Sequence, residues 1–110
     1  MIAWNSIAEF ARSGAYMPAK FKLRSRYEVC GVVYRVVESS DVPDCADAEV
    51  CFHSHVIRIR PGLTVHDRKV ALIHELLHAL WYEMKWYNFE ISKDAEEVIV
   101  DSIAEYVAKL

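Results

Sequence analysis

At Pro61-Gly62 the hydrophobic period of this chain changes, and that change restricts its possible folds more than any other feature. From about residue 20 up to it, apolar residues alternate with polar ones or cluster in short β-branched runs bounded by turn residues. After it, they recur at three- and four-residue spacing over two long stretches. A period of two is that of a half-buried strand, and a period near 3.6 is that of an amphipathic helix. Strands first and helices second predict an α+β fold, a small twisted antiparallel sheet packed against helices. A length of 110 residues suits one hydrophobic core, so residues 1–110 are read as a single domain.

Residues 4–13 read as a short helix. Ile7, Phe10 and Ala11 share a face, Asn5 or Ser6 can cap it, and Gly14 ends it. Over 20–27 the chain alternates: Phe21, Leu23 and Tyr27 face one way, and Lys20, Lys22, Arg24 and Arg26 the other. Cys30-Gly31 interrupts the pattern before the β-rich run 32–37, which predicts a hairpin with Gly31 in its turn. An acidic loop over 39–47 follows. Strands are expected at 49–52 and 56–60, joined by a turn through His53-Ser54-His55. Thr64, with Asp67 three residues on, predicts the cap of a helix over 65–87. Ser92 or Asp94 caps a last helix that runs to Leu110.

The first long helix carries His74-Glu75-Leu76-Leu77-His78. Histidines four residues apart lie one turn apart on one face, where both rings can reach the same metal ion. The glutamate between them points to a neighbouring face, close enough to take a proton from metal-bound water without ligating. HExxH also recurs by chance in unrelated helices, so the neighbours matter. Val70, Ile73, Leu77, Leu80, Trp81 and Met84 supply apolar bulk, and a dry wall strengthens charge interactions at a metal. A third ligand is available in the last helix. Glu97 and Asp101 are four residues apart on one face, so one can bind metal while the other accepts the free ring N–H of a ligating histidine. Glu96 competes for the ligand role, since it sits nearer the middle of the apolar arc formed by Val100, Ile103 and Val107. Glu97 is preferred because it has the aspartate partner one turn later.

His74-Glu75-x-x-His78 followed by Glu97-x-x-x-Asp101 resembles the signature of the gluzincin metallopeptidases, including the minigluzincins of about this length. The run 72–81 is also similar to small phage and prophage zinc peptidases and, more loosely, to the ImmA/IrrE group. The resemblance is specific over 72–101. It implies zinc as cofactor, held by His74, His78 and Glu97, with Glu75 as general base and Asp101 behind a histidine. Larger gluzincins draw a further His or Tyr from a C-terminal subdomain to steady the oxyanion. The sequence here stops at Leu110, so the expectation is either that another residue serves, with His55, Tyr82 and Tyr87 as candidates, or that catalysis is weak.

The expected activity is hydrolysis of a peptide or protein substrate bound in extended form. The strand at 56–60 or its hairpin partner at 49–52 would offer the sheet edge that runs along the cleft. Two other readings use the same residues: a non-catalytic module stabilised by metal, meeting a partner through its basic strand or sheet edge, and a zymogen-like peptidase with an occluded cleft. A net charge of −3 gives no electrostatic case for nucleic acid or an anionic membrane. No apolar run approaches the roughly 20 residues of a membrane span. Cys30, Cys45 and Cys51 show no CxxC spacing, and no leader pattern opens the chain, so reduced thiols in a cytoplasmic protein are expected.

Overall fold

The computed structural model describes residues 24–109. The expected helix at 4–13, and Lys20 and Lys22, lie outside the described residues. Four strands are followed by two helices, as the change of period at Pro61 predicts: β1 (Arg26–Val29), β2 (Val32–Glu38), β3 (Ala48–Cys51), β4 (Val56–Ile59), α1 (Val65–Glu83) and α2 (Lys93–Ala108). A 3-10 turn, Trp86–Asn88, separates the helices.

β1 and β2 form the expected hairpin, with Val29 opposite Val32. Only Cys30 and Gly31 lie between them, and both have positive φ, 51° and 83°. Positive φ at both central residues is the type I′ turn, whose twist matches that of the strands it joins. A Cβ built on Gly31 meets nothing within 4 Å, so its constraint is torsional rather than steric. Cys30, however, bears a side chain in a region that costs most residues about 1 kcal/mol. Cys30→Asn, which creates the Asn-Gly pair preferred in such turns, is therefore expected to raise stability by about 0.5–1 kcal/mol in urea unfolding. No gain would mean that the turn is not strained.

The sheet is mixed rather than antiparallel throughout. Its order is β1-β2-β4-β3, with β2 and β4 parallel and the other two pairs antiparallel. The chain leaves β2, crosses through 39–47 to the outer edge, returns as β3, and then inserts β4 between. Ile57 and Ile59 of β4 are fully buried, and the central position is where a strand of that apolarity is covered best. Arg60 pins the crossover: its guanidinium donates to the carbonyls of Ala46 (2.7 Å) and Pro43.

α1 covers one face of the sheet. Leu72, Ile73, Leu76, Ala79 and Leu80 join Tyr27, Val29, Tyr34, Ile57 and Ile59 in one core, to which α2 adds Val100, Ala104 and Val107. Each large side chain buried there contributes about 1.5–3 kcal/mol. Thr64 Oγ1 accepts from the Asp67 N–H at 3.1 Å, and Ser92 Oγ from the Ala95 N–H at 3.1 Å, so both helix starts lie at expected caps. α1 stops at Glu83, earlier than residue 87, because Lys85 adopts a left-handed conformation (φ 60°) that turns the chain. The three cysteines are free. Among the described residues no helix is long and apolar enough to cross a membrane.

Candidate metal centre

α1 turns His74 and His78 toward α2, where Glu97 meets them. The Nε2 atoms of the two rings are 3.1 Å apart. Glu97 Oε1 lies 2.9 Å from His78 Nε2, and Glu97 Oε2 lies 3.5 Å from His74 Nε2. One donor atom from each of these three side chains falls within 4.8 Å of the other two.

The opposite ring nitrogens explain why the Nε2 atoms converge. His74 Nδ1 is 2.8 Å from Asp101 Oδ1, and His78 Nδ1 is 2.7 Å from Glu96 Oε2. An ionised carboxylate only accepts, so each contact favours a proton on Nδ1, and a ring in its neutral form then presents its Nε2 lone pair. Two lone pairs and a carboxylate then point at one small volume with no donor among them. Such a set could hold a cation. The donors present, two imidazoles and one carboxylate, fit a divalent metal ion. Protonating a ring is the alternative, and burial opposes it at His74, whose pKa is held below its ordinary value by desolvation and by the neighbouring His78.

Asp101 thus lies against the ring nitrogen of His74 that faces away from Glu97. Glu96, weighed as a rival ligand, stands behind His78 in the equivalent position. Its signal in the sequence was its place beside Glu97, but only the packing of α2 on α1 shows which carboxylate faces which nitrogen. Carboxylates in these positions typically contribute 10–100-fold to metal affinity. Asp101→Ala is accordingly expected to weaken zinc binding by about 10–100-fold in a competition titration. An unchanged affinity would remove Asp101 from the site.

Glu75 is buried, with Oε2 3.9 Å from His74 Nε2. Desolvation above all, then the carboxylates of Glu97, Glu49 and Asp101, pushes its pKa up to about 8. A cation held by the three ligands would act in the opposite direction. One wall of the site is β3. Ala48, Glu49 and Val50, with Phe52 just beyond the strand, line a hollow with His74, Glu75, His78 and Glu97. β3 is an edge strand among the described residues, whereas β4 is interior.

His55 is not brought to this group. It sits in the β3–β4 turn with φ 56°, its ring edge-on to Tyr34 at 5.3 Å, and it lines none of the three hollows beside the histidines. Tyr34 in turn donates to Glu83 Oε2 at 2.6 Å. His66 is exposed in the first turn of α1. Tyr82 and Tyr87 line a second hollow that shares His78 with the metal group. Compared with protein-family models, curated proteins and solved structures, the chain matches none of them.

Proposed function

We propose that this chain is a zinc-dependent peptidase, with His74, His78 and Glu97 as ligands and Glu75 as the group that carries the proton. The observation behind this reading is the convergence of three possible ligand atoms beside a buried glutamate that is none of the three. A purely structural zinc site closes its shell with four protein ligands, whereas a hydrolytic one keeps a position open. Here three donors converge, and Glu75 stands next to them. The gluzincin-like spacing over 72–101 points the same way.

Bound zinc would supply a water with a pKa near 7 and a Lewis acid for the scissile carbonyl. Glu75 is placed to take a proton from the attacking water and to deliver it to the departing amine nitrogen. Its apolar surroundings raise its proton affinity, and a bound cation would favour its ionised form, so that it starts as a carboxylate yet is basic enough to hold a proton between the two transfers. Asp101 and Glu96 keep both rings in the tautomer that ligates. β3 offers an edge on which an extended substrate can pair its backbone, since a helical peptide hides its scissile carbonyl. The three free thiols suit the reducing conditions of a cytoplasm.

The direct test incubates the zinc-loaded chain with a mixture of unstructured peptides and reads cleavage by mass spectrometry. Products should appear with zinc, stop on chelation and resume when zinc is restored. Intact peptides throughout, with metal bound, would sink the peptidase reading while leaving the metal site standing.

A further inference from the structure

The second hollow shares a wall with the metal group. It has a volume of about 280 Å³, and Phe52, His78, Trp81, Tyr82, Tyr87 and Lys93 line it, with Glu96 behind His78. Its rings support one another. Phe52 stacks on Tyr82 at 4.5 Å and 9°, Tyr82 leans on Tyr87 at 5.7 Å, and Trp81 meets Trp86 edge-on at 5.4 Å. The cavity is thus preformed, yet Tyr82 and Tyr87 remain 41% and 55% exposed. Clustered aromatic surface left open to water marks a place where something apolar binds.

Its size and charge restrict the occupant. The volume lies at the small end of ligand sites, suited to one large side chain rather than a run of peptide. Phe52, His78 and Lys93 line both this hollow and the one that holds His74, Glu75 and Glu97. A residue seated among the rings is therefore the immediate neighbour of whatever faces the metal ligands. Among the described residues Lys93 is the only lysine or arginine lining either hollow; the carboxyl groups around it are those of Glu49, Glu75, Glu96 and Glu97. Among the described residues it makes no ion pair within 4 Å. An exposed ammonium at the mouth of an apolar cavity, with no carboxylate bound to it, matches an occupant that is apolar at one end and anionic at the other.

We infer that this hollow binds the C-terminal residue of a peptide, its large apolar side chain among Phe52, Trp81, Tyr82 and Tyr87 and its terminal carboxylate on Lys93. An acidic side chain is excluded, because the charge would enter the ring-lined cavity near Glu96. An internal residue fills the rings but leaves Lys93 unanswered. Taken with the proposed peptidase reading, on which it rests for its chemistry, the site makes the enzyme an exopeptidase that removes an aromatic or large aliphatic C-terminal residue.

The test measures binding without turnover. N-acetyl-L-phenylalanine, its amide and N-acetyl-L-alanine are titrated against the zinc-loaded chain and the chelated chain, read by tryptophan fluorescence. The free acid should bind about five-fold tighter than the amide, the upper end of what an exposed ion pair supplies. It should bind at least about ten-fold tighter than the alanine compound, which cannot fill the rings. The acid preference should persist without zinc, shrink in high salt and disappear in Lys93→Met. Tyr82→Ala should weaken acid and amide together. Equal binding of acid and amide overturns the inference, as does an acid preference that vanishes with the metal or survives in Lys93→Met, and so does no binding at millimolar concentrations. Failure of the peptidase reading is separate: acid-selective binding would persist with no cleavage of any peptide.

Discussion

Zinc in excess is expected to bind at one ion per chain and to raise the melting temperature by about 10–20 °C. Metal at about a hundred times its dissociation constant adds roughly 2.7 kcal/mol to folding, and 1 kcal/mol is worth about 4–8 °C in a domain of this size. The expectation rests on what the fold brings together without metal: two Nε2 lone pairs 3.1 Å apart, the Glu97 carboxylate on both of them, and Glu75 buried beside them. A divalent cation relieves every one of these repulsions. His74→Ala and His78→Ala should each abolish the shift, and Glu97→Ala should remove most of it. Glu96→Ala should retain a reduced shift, since Glu96 contacts the far nitrogen of His78. If Glu96→Ala loses metal and Glu97→Ala does not, the two glutamates exchange roles. If all four variants respond to zinc like the wild type, there is no metal centre here.

Much of this arrangement was legible in the sequence because it is local. The one-turn spacing of His74 and His78 fixes their shared face in any helix, and Thr64 and Ser92 mark starts that depend on side chains within three residues. Gly31 needs only its own turn. The pairing of Glu97 with Asp101 was readable from their four-residue spacing, although what Asp101 meets depends on a second helix.

What was not legible depends on distant partners. Alternation shows which face of a strand is apolar but not which strand lies beside it, so the insertion of β4 parallel to β2 had no local signature. A helical wheel of α2 places Glu96 and Glu97 on adjacent faces but does not orient the wheel against α1. His55 looked suited to the cleft as the residue before a strand, yet its left-handed turn carries its ring to Tyr34. Lys93 did carry a usable signal, since it lies one turn before Glu97 and two before Asp101 on the same helix face. The reversal at Lys85, which brings Tyr87 back toward Tyr82, had none.

Glu75→Gln is expected to retain zinc and the fold while reducing hydrolysis to background. Glutamine has nearly the shape of glutamate, so packing against the core is preserved, but it cannot accept and return a proton. The ligands His74, His78 and Glu97 are untouched, and zinc affinity should remain within a few-fold of wild type. The metal-free chain offers a second readout. In the folded protein the carboxyl of Glu75 is raised to about 8, whereas in the unfolded chain it titrates near the ordinary glutamate value. As pH rises from about 4.5 toward 8, the unfolded state loses this proton first, and folding becomes less favourable. Below that window both states hold the proton and the penalty vanishes. Glu75→Gln should therefore stabilise the metal-free chain at pH 8, by on the order of 1 kcal/mol or more, with little effect near pH 4. Urea unfolding at the two pH values, with and without zinc, measures this directly. A variant that loses zinc would make Glu75 a ligand, and one that still cleaves peptides at the wild-type rate would remove it from the proton transfer. Full loss of cleavage, retained zinc and a pH-dependent gain in metal-free stability are what a buried base beside a cation site requires.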